Sequence, residues 1–213
     1  MKNLYSKIFL WLALGLLVTF GTGYLVTLYP NMLFKLLGSW GYIVCIIAEL
    51  VLVSVLSFTM FKVKPSMAKA MFLLYSVVTG LTFSSIFVNY NLNSITIVFL
   101  VTAVIYGIFA LFGYLTKLKL NKTWPYLLAT LIGVIVVSII NLFLNSSRLE
   151  MILSIITIIV FLLITAYDMK RIKNLKNMGL PKENLAIYGA LDLYLDFINV
   201  FMNLISMFGN NDD

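Results

Sequence analysis

The chain has 213 residues, 62% of them apolar and 11% charged, and its mean hydropathy is +1.04. A soluble domain holds about 45–50% apolar and about 25% charged residues, and a single core could not hide this much apolar surface, so a soluble enzyme is excluded. The net charge of +7 does not imply a nucleic-acid partner, because the basic residues stand in short connections, where they report membrane topology.

Low-charge apolar stretches follow one another along the chain as Ile8–Leu28, Gly38–Phe61, Ala70–Val88, Ile95–Leu115, Trp124–Leu144, Met151–Tyr167 and Leu185–Phe208. A membrane helix needs roughly 20 apolar residues. Each stretch is near that length, and Met151–Tyr167, the shortest, would draw on its flanks. The breaks between them carry Pro, Asn or Lys, as loops do. The pattern predicts an all-α integral membrane protein, seven transmembrane helices in one domain over residues 1–213, with the lipid bilayer as its surroundings.

The basic residues orient the spans. Lys2 and Lys7 precede the first, and Lys62, Lys64 and Lys69 lie between the second and third. Lys117, Lys119 and Lys122 follow the fourth, and Lys170, Arg171, Lys173, Lys176 and Lys182 follow the sixth. These are 13 of the 15 basic residues, all on one side of a seven-span path, with only Lys35 and Arg148 on the other. Basic loops stay cytoplasmic, which predicts the N-terminus inside and the C-terminus outside. That orientation argues against a G-protein-coupled receptor or a microbial rhodopsin, and the seventh span lacks the lysine of a retinal Schiff base. The abundance of Lys and Asn hints at an AT-rich bacterial genome, hence a bacterial plasma membrane.

The chain has eight acidic residues and no histidine. His-liganded zinc, a Ser-His-Asp triad and a histidine pH switch are therefore absent. The one cysteine, Cys45, leaves no internal disulfide and no Cys-based metal cage. Glu49, Asp192 and Asp196 fall within spans and Asp168 closes the sixth, whereas no Lys or Arg lies inside a span as drawn. An ionisable group in hydrocarbon costs at least about 2.5–3.5 kcal/mol on insertion scales, so these acids are the candidate functional groups. A wholly acidic set attracts cations or holds protons.

In the last span Tyr188, Asp192, Asp196, Asn199, Asn203 and Ser206 recur at spacings of 4, 4, 3, 4 and 3, one helical face. Lipid cannot satisfy such a stripe, so it must turn toward protein or water, and Asn199 and Asn203 become candidate residues of an ion path. For Asn199, Asn203 and Ser206 a structural role stays open beside it: hydrogen-bonded glue between helices, at about 0.6 kcal/mol each. The sixth span carries a weaker stripe of Ser154, Thr157, Thr165 and Asp168.

Two neighbouring carboxylates do not easily both ionise, so such a pair shares a proton. When the proton is lost two negative charges repel, and a cation can take its place. Calcium wants 6–8 oxygens, of which Asp168, Asp196, Asn199 and backbone carbonyls could supply several. The hairpin of spans 6 and 7 complicates the pairing. A turn centred near Met178 sets Asp168 opposite about Tyr188, leaving Asp196 eight residues deeper, roughly 12 Å along the axis. Asp192 is closer by one turn.

Several segments resemble the Bax inhibitor-1 (transmembrane BAX inhibitor motif) family, and within it the bacterial YetJ-like calcium-leak members. The most specific is Leu193-Tyr194-Leu195-Asp196-Phe197-Ile198-Asn199-Val200-Phe201, similar to the family's seventh helix. Ala166-Tyr167-Asp168 followed by Lys170, Arg171, Ile172 and Lys173 resembles the end of helix six, and Phe112-Gly113-Tyr114-Leu115-Thr116-Lys117 the end of helix four. Tyr75 through Ser85, with Thr79-Gly80-Leu81-Thr82, resembles helix three. The resemblance implies seven helices with the last surrounded by the other six, no cofactor, and a pH-sensitive calcium leak governed by an aspartate pair. Residue by residue the pair falls on Asp168 and Asp196, which also become the candidate calcium ligands, and Glu49 matches an acidic position on the second helix. The family's latch arginine at the end of that helix has no counterpart at the same spacing; Lys62 and Lys64 stand nearby. The family commonly has a neutral residue where this chain has Asp192, which would make a third acid in the cluster. The resemblance favours Asp196 over Asp192 as the partner of Asp168.

The leading expectation is a calcium leak channel gated by protonation of Asp168 and Asp196, with calcium and protons as its ligands and no enzymatic activity. An intramembrane aspartyl protease would use Tyr167-Asp168, but its G-x-G-D partner motif is missing, since Gly189-Ala190-Leu191-Asp192 lacks the second glycine. A proton-coupled cation transporter and a non-transporting membrane regulator of cell survival also compete with the channel. Against the transporter, no internal repeat of the kind many transporters show is visible.

Overall fold

A computed structural model describes residues 3–38, 40–118 and 120–209; Lys2 and Lys119 of the basic set lie outside them. The helices are α1 (Asn3–Thr27), α2 (Pro30–Leu37), α3 (Gly41–Thr59), α4 (Pro65–Asn89), α5 (Leu92–Leu115), α6 (Trp124–Leu144), α7 (Ser147–Lys176) and α8 (Lys182–Phe208), with a 3-10 turn at Leu120–Lys122. No strand occurs among the described residues. All but α2 are long and apolar enough to cross a membrane, seven in total.

Local chemistry sets the ends. Pro30, Pro65 and Pro125 sit in the first turns of α2, α4 and α6, where a missing N–H loses nothing and the fixed φ suits a helix. Asn145 ends α6 in the left-handed conformation (φ 47°), its N–H bonded to the Asn141 carbonyl at 2.8 Å. Ser146 then accepts a bond from the Leu149 N–H at 3.4 Å, a side-chain N-cap for α7. Two residues thus join α6 to α7.

Two features differ from the expected spans. The break after the first span folds into the short helix α2. The sixth span does not close at Asp168, because α7 runs on to Lys176. Beyond Asp168 the chain is amphipathic rather than apolar: Met169 and Ile172 are buried, while Lys170 between them reaches the Thr116 carbonyl and Arg171 pairs with Asp168, so packing carries the helix on.

The described residues form two compact units, one from Met1–Leu92 and Leu175–Tyr194, the other from Asn93–Asn174 and Leu195–Asn210. In the first, α1 and α4 cross closely at Gly80, where an added Cβ would stand 2.6 Å from Thr22 Cβ and 2.7 Å from the Thr19 carbonyl oxygen. Small residues at such crossings let membrane helices approach. Thr19 donates to the Ser76 carbonyl at 3.0 Å and pairs with the hydroxyl of fully buried Tyr194. Phe72 and Tyr75 meet the Tyr194 ring edge to face, each with centroids 5.8 Å away. At the start of α8, Glu183 is ion-paired with Lys7 and Lys69. Asn184 beside it donates to the carbonyls of Met60 (2.5 Å) and Val63 (3.0 Å).

In the second unit, Phe197 packs against Phe99 and Tyr106, and Leu127, Val160 and Ile164 form an apolar cluster flanked by Trp124, Phe161 and Tyr167. Burial ranks the membrane helices: 67% of the apolar window of α8 is buried, against 6% for α3 and for α6. The polar stripe read from the sequence lies on this helix: Asp196 is buried, Tyr188, Asp192, Asn199 and Asn203 are half-buried, and Ser206 is exposed.

Candidate functional site

Asp168 and Asp196 both belong to the second unit, and both are buried, at 4% and 3% exposure. Asp168 sits two turns before the end of α7. Arg171, one turn further on, pairs with its Oδ1 at 3.2 Å and lies 5.7 Å above the Tyr167 ring, which is itself stacked on Trp124 at 4.9 Å. A carboxylate at this depth needs a charge partner, and the same helix supplies it.

Asp196 is placed by Thr165 of α7, whose hydroxyl stands 3.1 Å from Asp196 Oδ2 and 2.8 Å from the Phe161 carbonyl. A hydroxyl holds one proton and two lone pairs. It can donate to an ionised Asp196, or turn its proton to Phe161 and accept from a protonated one, so the position serves both states. The bond also revises the register of the hairpin. A hairpin centred at Met178 sets Thr165 opposite Leu191; the bond to Asp196 slides α8 by about five residues, or roughly 7.5 Å. The loop between the helices contains Gly179 at φ 75°, a conformation glycine adopts without strain. Asp196 therefore stands near the level of Thr165, three residues or about 4.5 Å along the axis from Asp168, in place of the 12 Å that a symmetric hairpin implies.

The crossing of α5 and α7 fixes this level from another side. Gly113 lies so close to α7 that an added Cβ would fall 2.2 Å from the Ala166 carbonyl oxygen. Lys170 donates to the Thr116 carbonyl at 2.6 Å and Lys173 to the Tyr114 carbonyl at 3.1 Å. Two ammonium groups thus satisfy carbonyls at the C-terminus of α5, where cations are favoured. Ala166-Tyr167-Asp168 is clamped beside that end.

In the first unit Glu49 of α3 is half-buried, and Thr82 of α4 holds it in the same two-way fashion, 2.6 Å from Oε1 and 2.8 Å from the Thr79 carbonyl. Asp192 is half-buried on α8, one turn ahead of Asp196. Among the described residues no three of His, Cys, Asp and Glu gather as a metal-binding group, so a cation here would be met by carboxylates together with neutral oxygens. Asn199 donates to the Leu195 carbonyl and Asn203 to the Asn199 carbonyl, each at 2.8 Å; these bonds run back along α8 rather than across to another helix. Lys62 and Lys64 are exposed in the connection between α3 and α4. Arg171, grouped with the topology residues in the sequence, is the cation at Asp168, and its i,i+3 spacing was the signal for it. Thr82 had no such signal, since its partner lies 33 residues away.

Comparison with known proteins identifies the family. The family model described as "Inhibitor of apoptosis-promoting Bax1" matches residues 1–213. The inner membrane protein YbhL of Escherichia coli strain K12 is 37% identical over 216 residues, covering 99% of this chain and 92% of the relative. An uncharacterized protein of Borreliella burgdorferi is 34% identical, covering 98% and 92%. An uncharacterized membrane protein of Streptococcus pyogenes serotype M1 is 34% identical, covering 100% and 94%. The chain is a membrane protein and belongs to the Bax inhibitor-1 family.

Proposed function

We propose that the protein is a pH-sensitive calcium leak in a bacterial plasma membrane, in which Asp168 and Asp196 share a proton and gate the passage of the ion. The observation that carries this reading is the placement of two buried carboxylates on adjacent helices within about one turn of the same level, one beside an arginine and the other beside a two-way threonine hydroxyl. While the proton is shared, the pair carries one negative charge, which Arg171 balances. Loss of the proton adds a second negative charge in a low-dielectric setting, and α7 and α8 relieve it by separating or by admitting a cation. Calcium fits as cargo because carboxylate, amide and backbone oxygens are what it prefers. It enters and leaves without a resident cage, in keeping with the two-carboxylate arrangement. The segregated lysines favour a cytoplasmic N-terminus, which sets Asp168 toward the cytoplasmic end of α7.

The test is calcium entry into liposomes holding the purified protein, followed with an entrapped indicator at several pH values. Entry above that of protein-free liposomes, varying with pH, supports the proposal; entry no faster than in protein-free liposomes at every pH would refute it.

A further inference from the structure

Beside the turn between α6 and α7 the second unit has a half-open cavity of about 420 Å³. Its walls include Asn141 of α6, Glu150, Ser154 and Thr157 of α7, and Asn203 and Ser206 of α8. In a chain that is 62% apolar, three helices bring polar side chains to one space. Dry cavities in proteins are apolar, and a water occupies about 30 Å³, so this one has room for roughly fourteen. Bonding between helices does not account for the polar lining: Thr157 donates to the Leu153 carbonyl and Asn203 to the Asn199 carbonyl, both within their own helices, and Asn141 accepts from the Ser146 N–H at the turn.

We infer that this cavity is a hydrated vestibule that takes up a divalent cation with most of its waters retained, Glu150 supplying the charge and the amides and hydroxyls the neutral oxygens. Among the described residues Glu150, itself exposed, is the only charged side chain in the lining, which sets the sign of the ligand. One carboxylate is too few to strip the ion, so binding is weak and largely through water, as entry to a conduction path requires. The position fits. Glu150 and Asp168 are 18 residues apart on α7, about 27 Å, close to the thickness of a bilayer core. Asn203 lies seven residues beyond Asp196 on α8, about 10 Å, with Asn199 between them. The vestibule is thus the opposite mouth of the path proposed above, and it rests on that reading.

The experiment needs no flux. In a Cys45→Ser background, Ser154→Cys, Asn203→Cys and Val160→Cys are prepared in detergent, and their reaction with a small cationic methanethiosulfonate is timed in calcium or in potassium at equal ionic strength. The expected result is rapid reaction at positions 154 and 203, which line the cavity, slow reaction at Val160→Cys in the apolar cluster, slowing by calcium at the first two, and loss of that calcium effect when Glu150→Gln is added. Cysteines at 154 and 203 as inert as the one at 160 would overturn the hydrated vestibule. Rates indifferent to calcium, or protection that survives Glu150→Gln, would overturn the cation site. Failure of the wild-type protein to pass calcium in liposomes would count against the leak, not against these rates.

Discussion

Gly113→Ala is the smallest change that should disturb the level at which Asp168 is held. The new methyl carbon would stand 2.2 Å from the Ala166 carbonyl oxygen and 2.6 Å from its Cα, where ordinary contact begins at 3.4 Å. Backbone atoms cannot turn away as a side-chain tip can, so α5 and α7 must part by about 1 Å. Overpacking of this kind costs about 1–3 kcal/mol. The separation also lengthens the Lys170 and Lys173 bonds to Thr116 and Tyr114, now 2.6 and 3.1 Å. At roughly 2–4 °C per kcal/mol for a domain of this size, a central cost of about 2 kcal/mol lowers the melting temperature by about 4–8 °C. Gly107→Ala on the same helix and Gly133→Ala on α6 are the controls, since nothing lies within 4 Å of either added carbon. They should leave the melting temperature unchanged or raise it slightly, because Ala orders more readily than Gly in a helix. Thermal unfolding of the three variants in one detergent, followed by far-ultraviolet circular dichroism, decides the matter. Equal melting of Gly113→Ala and Gly107→Ala would refute the close crossing.

Other contacts make separate predictions. Asn184→Ala leaves the Met60 and Val63 carbonyls without their buried donor and should destabilise by about 1–3 kcal/mol, seen as a lower melting temperature and faster proteolysis at the connection between α3 and α4. Tyr194→Phe keeps the ring contacts and removes only the hydroxyl shared with Thr19; a loss of about 1 kcal/mol should appear, and Thr19→Val should not add fully to it. Glu183→Gln removes the pairing with Lys7 and Lys69, whose side chains are about one-third exposed. The loss should not exceed about 1 kcal/mol, and the difference from wild type should shrink as salt is raised.

The membrane helices were legible because a bilayer sets a length and the apolar runs meet it: Trp124–Leu144 has the same bounds in sequence and structure. The end of α7 was not, since beyond Asp168 the helix is held by the buried faces of Met169 and Ile172 rather than by an unbroken apolar run. Helix α2, at eight residues, is too short for its periodicity to stand out from a loop. The α8 stripe could be read from spacing alone, because 3.6-residue periodicity places Asp192, Asp196, Asn199 and Asn203 on one face whatever they meet. How far α8 slides along α7 could not be read so, because a single bond from Thr165 to Asp196 marks it in three dimensions. The same holds for Glu49: its position was visible, whereas the hydroxyl that serves it comes from another helix.

The most direct test of gating by the aspartate pair is the pH profile of calcium entry into liposomes for wild type, Asp168→Asn and Asp196→Asn, with Thr165→Val as a companion. Asn keeps the size of the side chain and removes the titrating proton, and the chain has no histidine to titrate in its place. The wild-type rate should change between pH 6 and 8, while both Asn variants fold, reconstitute and give rates nearly independent of pH. Thr165→Val should keep a pH response with a displaced midpoint, because the partner of Asp196 is lost but both carboxyls remain. Wild-type pH profiles in both Asn variants would contradict the role given to Asp168 and Asp196.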